Sequence, residues 1–166
     1  LVGDRRLVRS VPVDPQRDSD RVGTMVSPDG RTVANLIGGE PESFAVQFLD
    51  VKSGTRSPLS AFRESNTYIA DLAWRPDSQK FAWGMAADDN GIYIWDRSTD
   101  TVSSLRGHES SVWCLAWSPD GTQLASGSLD KTVRIWDVAQ RSTVHTLTVD
   151  HNVTDLDWSP DGDLLA

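Results

Sequence analysis

The sequence predicts an all-β protein assembled from repeated four-stranded units, for three reasons. A turn motif recurs at nearly constant intervals along the 166 residues. Between the turns lie short stretches rich in β-branched and aromatic residues, which is the composition of β-strands. No stretch has the 3.6-residue apolar period of an amphipathic helix. Together these observations favour a modular all-β fold.

Three markers define the repeat. The turn sequence Ser-Pro-Asp-Gly or its relative Arg-Pro-Asp-Ser occurs at 27–30, 75–78, 118–121 and 159–162. A tryptophan precedes the last three of these turns, at Trp74, Trp117 and Trp158. A hydrophobic residue followed by aspartate occurs at 49–50, 95–96 and 136–137. The markers advance together by about 40–45 residues, which is the period of a propeller blade.

The third copy of the repeat shows the predicted strands most clearly. In Val112–Trp117 the residues that would point to either face of a strand are apolar, so this stretch is predicted as a strand buried on both faces. The second strand, Leu124–Ser128, has small residues that allow a neighbouring sheet to approach closely. Val133–Asp137 and Thr143–Val149 follow as the third and fourth strands. Four short antiparallel strands per period are typical of a propeller blade.

The same copy contains Gly107-His108, then the tryptophan-led turn, Asp130, and Trp136-Asp137. In this combination it resembles the WD-repeat family, named after its tryptophan–aspartate pairs. The resemblance implies an all-β fold, a β-propeller of four-stranded antiparallel blades, with about four blades in this chain. The whole chain, 1–166, is then a partial or half propeller. Its blades are expected at approximately 20–63, 64–106, 107–149 and 150–166, the last completed by another segment, for which 1–15 is the candidate.

The resemblance also implies a buried hydrogen-bonded tetrad that stabilises each blade. In the third blade its members are His108, Asp130, Trp136 and a strand serine, either Ser126 or Ser128. The histidine bridges the carboxylate and the hydroxyl, and the indole N–H donates to the serine oxygen, so that every buried polar group is satisfied. The second blade keeps only Asp89 and Trp95 and lacks the histidine. These residues are therefore interpreted as structural.

Catalytic, cofactor and metal functions find no support in the sequence. A nucleophile needs exposure and room for substrate, whereas the repeat places His108, Asp130 and the serine between strands. Cys114 lies within a predicted strand and is interpreted as a buried, inert thiol. Phosphate-binding glycine loops are absent, and the three histidines and one cysteine lack metal-ligand spacing. The sequence therefore predicts a protein that is not an enzyme and that has no cofactor and no metal.

The charge balance restricts the class of partner. With 16 Lys and Arg against 24 Asp and Glu, the net charge is −8. Nucleic acid and anionic membrane surfaces both attract cationic proteins, so neither is expected as a partner. No stretch approaches the roughly 18 consecutive apolar residues of a membrane span. The single cysteine excludes an internal disulfide and fits a reducing compartment, so we expect a cytoplasmic protein.

Surface recognition of a protein or peptide is the remaining function. Propellers of this family present the rim of one face, formed by the start of each first strand and the turn after each second strand. The positions that match here, which we call the rim residues, are Tyr68, Asp88, Ser111, Trp113, Leu129, Asn152 and Thr154. Trp113 and Tyr68 are the predicted anchors because aromatic residues dominate binding energy at interfaces. The alternative is that Trp113 packs against the next blade.

Two function classes remain open. The first is a non-catalytic interaction scaffold, for which a basic or arginine-containing peptide is a suitable ligand. The second is an accessory sensor domain of a larger signalling enzyme, such as a kinase or an ATPase. Three assemblies also remain open: a fragment of a longer propeller, a homodimer that closes an eight-bladed ring, and a ring of four blades that closes alone.

Overall fold

The structure, a computed structural model, describes residues 21–39, 43–57, 60–62, 67–87 and 89–166. Within these residues the chain forms twelve strands and no helix. The strands make three four-stranded sheets, and within each sheet consecutive strands pair antiparallel. The prediction of an all-β protein built from four-stranded antiparallel units is therefore confirmed.

Each sheet uses four consecutive strands, and we call the sheets blades 1 to 3. Blade 1 contains β1 (Arg21–Val26), β2 (Thr32–Gly39), β3 (Ser43–Asp50) and β4 (Ser60–Phe62). Blade 2 contains β5 (Thr67–Trp74), β6 (Lys80–Ala87), β7 (Ile92–Asp96) and β8 (Thr101–Leu105). Blade 3 contains β9 (Val112–Trp117), β10 (Gln123–Ser128), β11 (Thr132–Asp137) and β12 (Ser142–Thr148).

The recurring turn closes the hairpin between the first and second strands of a blade. In blade 3 the Ser118 hydroxyl donates to Asp120 Oδ1 at 2.6 Å and accepts the Gln123 N–H at 2.9 Å. The glycine of this turn has a φ of 70°, which glycine adopts without strain. The same two serine contacts occur in the turns that begin at Ser27 and Ser159. The motif thus fixes one hairpin geometry in three places.

The apolar cores lie between neighbouring blades. Phe48 of blade 1 stacks on Trp95 of blade 2, with ring centroids 3.8 Å apart. Between blades 2 and 3, Leu105 and Trp136 belong to one buried cluster. The first strand of blade 3 packs against the first two strands of blade 2. Stability therefore depends on the stacking of blades as well as on strand pairing, as expected for repeat architectures.

The tryptophans that precede the turns tie each blade to the blade before it. Each indole N–H donates to a backbone carbonyl in the first strand of the preceding blade. The pairs are Trp74 with Met25 at 3.3 Å, Trp117 with Ala73 at 3.1 Å and Trp158 with Ala116 at 3.1 Å. The three acceptors occupy equivalent positions, because each is the residue directly before the one that precedes the turn: Met25 before Val26, Ala73 before Trp74 and Ala116 before Trp117. The repeated tryptophan thus has a repeated structural role.

Residues 150–166, which we call the fourth-blade segment, follow the last strand of blade 3. Asp157 and Ala166 exchange two backbone hydrogen bonds at 3.0 and 2.9 Å, and Trp158 and Leu165 form an isolated antiparallel bridge. This pairing corresponds to the first and second strands of a further blade, since Trp117 pairs with Leu124 in the same way.

Blade 3 allows the fourth-blade segment to approach closely at Gly127. A Cβ added to Gly127 would lie 2.4 Å from Val153 Cγ1 and 2.5 Å from Cys114 Sγ. The thiol itself lies 3.8 Å from the Val153 carbonyl oxygen. Only a residue without a side chain fits between these atoms, and Gly127 lies in the small-residue strand for which close approach is predicted.

Candidate functional site

The structure brings His108, Ser126, Asp130 and Trp136 together in the interior of blade 3. His108 Nδ1 lies 2.8 Å from Asp130 Oδ2, and His108 Nε2 lies 2.7 Å from Ser126 Oγ. The Trp136 indole donates to the same hydroxyl at 2.8 Å. The Asp130 carboxylate can only accept, so His108 Nδ1 carries the imidazole proton and donates to it, and Nε2 accepts from the Ser126 hydroxyl. The histidine and the serine are buried, which leaves no space for a substrate.

The two titratable groups of this cluster have shifted pKa values. Burial lowers the pKa of His108, and the neighbouring Asp130 carboxylate opposes this effect without reversing it. Burial acts to raise the pKa of Asp130, but hydrogen bonds from Thr132, from the Glu109 backbone and from His108 hold it well below its usual range. At neutral pH the pair is therefore a neutral imidazole beside a carboxylate.

Ser128, the other serine candidate, has different contacts. Its hydroxyl donates to the Ser110 carbonyl at 3.0 Å and accepts the Asp130 N–H at 3.0 Å. It thus holds the loop before β9 against the turn after β10. The tetrad arrangement in the structure uses Ser126.

Blade 2 has a different polar cluster around Asp89. This carboxylate accepts the Gly91 N–H at 2.8 Å and the Tyr93 hydroxyl at 2.6 Å, and it pairs with the guanidinium of Arg106. The guanidinium also lies over the tyrosine ring, 5.1 Å from its centroid. Burial and the Asp89 carboxylate raise the pKa of Tyr93 to about 12, so the phenol keeps its proton and donates.

Trp95 does not join the Asp89 cluster. Its indole donates to Asp100 Oδ1 at 2.9 Å. In blade 3, Ser126 lies two residues after Leu124, which pairs with Trp136. In blade 2, Phe81 pairs with Trp95, so the residue that corresponds to Ser126 is Trp83. Trp83 is fully buried and stacks on Tyr93 with centroids 5.7 Å apart. Because blade 2 lacks the histidine and an indole replaces the serine hydroxyl, the histidine-centred arrangement of blade 3 does not form in blade 2.

Sequence reasoning missed Arg106 and Tyr93. Arg106 lies after β8, in the connection to blade 3, whereas the histidine of the repeat precedes the first strand of its blade. Arg106 therefore pairs with Asp89 of blade 2, which precedes it in the chain. His108, two residues later, pairs with Asp130 of blade 3, which follows it. The sequence feature that could have indicated Arg106 is its position directly before Gly107-His108.

Trp113 is the aromatic rim residue whose side chain the structure describes. It is 36% exposed, although the residues on either side of it in β9, Val112 and Cys114, are buried. Asn152 and Thr154 of the fourth-blade segment are exposed as well.

The other rim residues differ in their surroundings. Ser111 is buried, and its hydroxyl accepts the Ala87 N–H at 2.9 Å, which links blades 2 and 3. Leu129 is half-buried, and its N–H donates to the Ser111 carbonyl at 3.0 Å. Tyr68 lies in β5; its side chain and Asp88 are outside the described residues.

Cys114 is buried, and burial raises the pKa of its thiol to about 12. A thiol in this state is not a nucleophile at neutral pH. In the part of the chain that the structure describes, no group of three or more His, Cys, Asp or Glu side chains is arranged to hold a metal ion. The same residues include no helix long and apolar enough to cross a membrane.

Comparison with known families identifies the repeat. The family model described as "WD domain, G-beta repeat" matches residues 56–96, 99–137 and 141–166. The chain belongs to the WD40 repeat family. The three matches begin late in blade 1 and cover the rest of the chain, where the tryptophan–aspartate pairs are present.

Several curated WD40 relatives are similar to this chain over a small part of their own length. Protein groucho of Drosophila melanogaster is 32% identical over 152 residues, which are 91% of this chain and 20% of groucho. Transcription factor unc-37 of Caenorhabditis elegans is 41% identical over 70% of this chain and 18% of its own length. WD repeat-containing protein 1 of Bos taurus is 39% identical over 53% of this chain and 15% of its own length. None of these three names is that of an enzyme.

Solved WD40 structures have the same fold. A chain in a crystal structure of the mitotic checkpoint complex superimposes with a TM-score of 0.71 and 26% identity, over 86% of this chain and 43% of that one. The WD40 repeats of RRP9 superimpose with a TM-score of 0.67 over 83% of this chain and 42% of that one. The expected propeller fold of four-stranded antiparallel blades is thereby confirmed.

Proposed function

We propose that this chain is a non-catalytic scaffold that binds a protein or peptide on the rim residues, with Trp113 as the principal contact. The observation that supports this most directly is the exposure of Trp113. The tryptophans that pack between or within blades, such as Trp83 and Trp136, are buried, whereas Trp113 presents more than a third of its surface to solvent. Partly exposed tryptophans are the residues most often found at the energetic centre of interfaces.

The chemistry of the described interior supports a binding role over a catalytic one. His108 and Asp130 are occupied by structural hydrogen bonds, and the Cys114 thiol is protonated and buried. WD40 proteins are generally scaffolds, and groucho and unc-37, the latter named as a transcription factor, are relatives of this chain.

A cationic segment is the ligand class that suits this surface. The chain has a net charge of −8, and Asp150, Asp155 and Asp157 are exposed in or beside the fourth-blade segment, which also contains Asn152 and Thr154. Arginine side chains stack on indole rings and pair with carboxylates, so an arginine-containing peptide satisfies both features. We also propose a cytoplasmic location, which a fluorescent fusion of the complete protein would test.

The test is affinity capture from cell extract, followed by titration of the captured partner against purified chain. Trp113→Ala is expected to weaken binding by about 2 kcal/mol, roughly thirtyfold, as for a hot-spot tryptophan. Val102→Ala is the matched control, because Val102 is equally exposed at 37% but lies on the fourth strand of blade 2, away from the rim residues. Unchanged affinity of Trp113→Ala for every captured partner would refute the assignment.

A further inference from the structure

Arg134 in β11 differs from the other half-buried cations of the described residues, because it has no carboxylate partner among them. The other half-buried lysine and arginine side chains all form ion pairs: Arg75 with Asp77, Lys80 with Asp96, and Arg97 with Asp29. The Arg134 Nε atom is buried and has no hydrogen-bond partner. A guanidinium that has lost part of its water and has no anionic partner is a place where an added oxyanion supplies the missing interaction.

The side chain of Arg134 is held by its neighbours within the boundary between blades 2 and 3. Its guanidinium carbon lies 5.9 Å from the ring centroid of Trp136. A Cβ added to Gly107 would lie 2.9 Å from Arg134 Nη1, so the missing side chain at Gly107 leaves room for the guanidinium. Trp136 itself is buried in one cluster with Ile92 and Leu105 of blade 2. This environment therefore consists of two complete blades and does not depend on the fourth-blade segment.

Two exposed hydroxyl groups lie on the same face of the sheet as Arg134. Arg134 pairs with Thr146 across β11 and β12, and Thr132 pairs with Thr148 in the same register. Cross-strand partners point to the same face of a sheet, and both Thr146 and Thr148 are exposed. A hydroxyl donates a hydrogen bond to an oxyanion without adding charge. The surface beside the guanidinium is thus rich in neutral donors.

Blade 3 has no free carboxylate for Arg134, because the nearest equivalent is already occupied. In blade 2 the Asp89 carboxylate, three residues before β7, pairs with the guanidinium of Arg106. Asp130 has the corresponding position in blade 3, but it accepts from His108 and Thr132 instead. The tetrad therefore consumes the carboxylate that could otherwise neutralise the arginine of this blade.

The charge of the site selects a carboxylate. One guanidinium carries one positive charge, and its two parallel N–H groups match the two oxygens of a carboxylate. The net charge of the chain is −8, so a phosphate dianion would add negative charge that no other described cation beside Arg134 neutralises.

We propose that Arg134 binds an aspartate or glutamate side chain of a partner protein, in an extended segment that lies along the exposed threonines of β12. The guanidinium fixes the acidic residue, and the threonine hydroxyls donate to the same segment. The site is on the side of blade 3 and is independent of the rim residues and of the cationic ligand proposed for them.

The test is selection from a randomised nonapeptide library displayed on phage, against the immobilised chain in low salt. We expect one group of selected peptides to be enriched in aspartate or glutamate at a fixed position. In calorimetric titrations, such a peptide is expected to bind at least about tenfold more tightly than its counterpart with the matching amide residue. In the wild type, the bound peptide is also expected to shift the NMR signal of the Arg134 Nε–H group.

Arg134→Gln is expected to abolish the difference in affinity between the acidic peptide and its amide counterpart. Arg141→Gln is the matched control, because it removes the same charge from an exposed arginine of the turn between β11 and β12. This control should keep the difference, and Trp113→Ala should keep it as well, which separates this site from the rim residues.

Three binding results would overturn the proposal: no enrichment of acidic residues, a preference that persists in Arg134→Gln, or an equal loss in Arg141→Gln. A peptide with phosphoserine at the selected position that binds more tightly than the acidic peptide would also overturn it, since phosphate would then be the ligand. An Arg134 Nε–H signal that does not shift in the wild type would show that the peptide binds elsewhere, whether or not Arg134→Gln folds normally.

Discussion

Ser126 is the centre of the polar cluster in blade 3, because its hydroxyl contacts both the imidazole and the indole. The hydroxyl lies 2.7 Å from His108 Nε2 and accepts from Trp136 at 2.8 Å. Removal of the imidazole leaves the buried Ser126 O–H without its acceptor, which costs about 1–3 kcal/mol. Asp130 loses one donor but keeps those from Thr132 and the Glu109 backbone. The cluster is therefore a stabilising element whose strength depends on protonation.

The free energy of unfolding is expected to fall as the pH is lowered from 7 to 3. The folded pKa of His108 is lower than that of the unfolded chain, so the unfolded state binds the proton first and stability decreases below about pH 6.5. The folded pKa of Asp130 is also lowered, so its contribution is present above about pH 4 and is lost below that value. Urea titrations across this range measure both effects.

His108→Ala separates the two contributions. The substitution is expected to lower the free energy of unfolding by about 2–3 kcal/mol at pH 7. It is also expected to make the free energy of unfolding less dependent on pH between pH 7 and 5. His145→Ala is the matched control, since it removes an imidazole that is exposed on β12. An unchanged slope in His108→Ala would contradict the assignment of this decrease to the buried imidazole.

The resemblance of the third copy to the WD-repeat family was sufficient to place His108, Asp130 and Trp136 next to one another, because each occupies a fixed position in a blade of that family. The choice between the two serines required coordinates, since both Ser126 and Ser128 are buried in the same strand. The cluster of blade 2 could not be predicted, because Arg106 reaches Asp89 from the following connection, across a contact that a repeat pattern does not contain.

The fourth-blade segment limits the size of the side chain that β10, the second strand of blade 3, can have at position 127. Gly127 leaves no space for a methyl group, since Val153 Cγ1 and Cys114 Sγ would both lie within 2.5 Å of an added Cβ. The small residues of this strand were predicted to allow close approach, but the contact with Val153 could not be predicted because that residue belongs to the next repeat. The strand and the fourth-blade segment therefore pack as one unit.

Gly127→Ala is expected to destabilise the protein by about 1–3 kcal/mol, because an overpacked interior must shift its backbone. Gly23→Ala is the matched control: Gly23 also lies in a strand, but the nearest atom to an added Cβ is Leu72 Cδ1 at 3.9 Å. The urea midpoints of the two variants provide the comparison. Equal loss in both would show that the effect comes from strand propensity and not from the contact.

The whole molecule is held together by contacts between blades as much as by contacts within them. Apolar clusters fill the spaces between sheets. An indole hydrogen bond crosses both boundaries between blades and also the boundary between blade 3 and the fourth-blade segment. The repeat period was enough to predict four-stranded antiparallel blades. The direction of these hydrogen bonds was not predictable, because it depends on the angle between two sheets.

Trp117→Phe keeps the ring and removes the N–H that donates to the Ala73 carbonyl. The substitution is expected to lower the free energy of unfolding by about 1 kcal/mol. It is also expected to increase the rate of amide hydrogen exchange on both sides of the boundary between blades 2 and 3. Trp95→Phe is the control, since the Trp95 indole bonds to Asp100 within blade 2. Exchange that increases equally along this boundary in both variants would show that the Trp117 hydrogen bond does not join the blades.

The direction of the indole bonds has a consequence for how the protein is made. Each tryptophan donates to a carbonyl of the blade that precedes it in the chain, and therefore to a blade whose sequence has already been synthesised when the tryptophan is added. A new blade can thus dock on a completed neighbour without waiting for later sequence. Growth in the direction of translation limits the time for which an unpaired sheet face is exposed to other nascent chains.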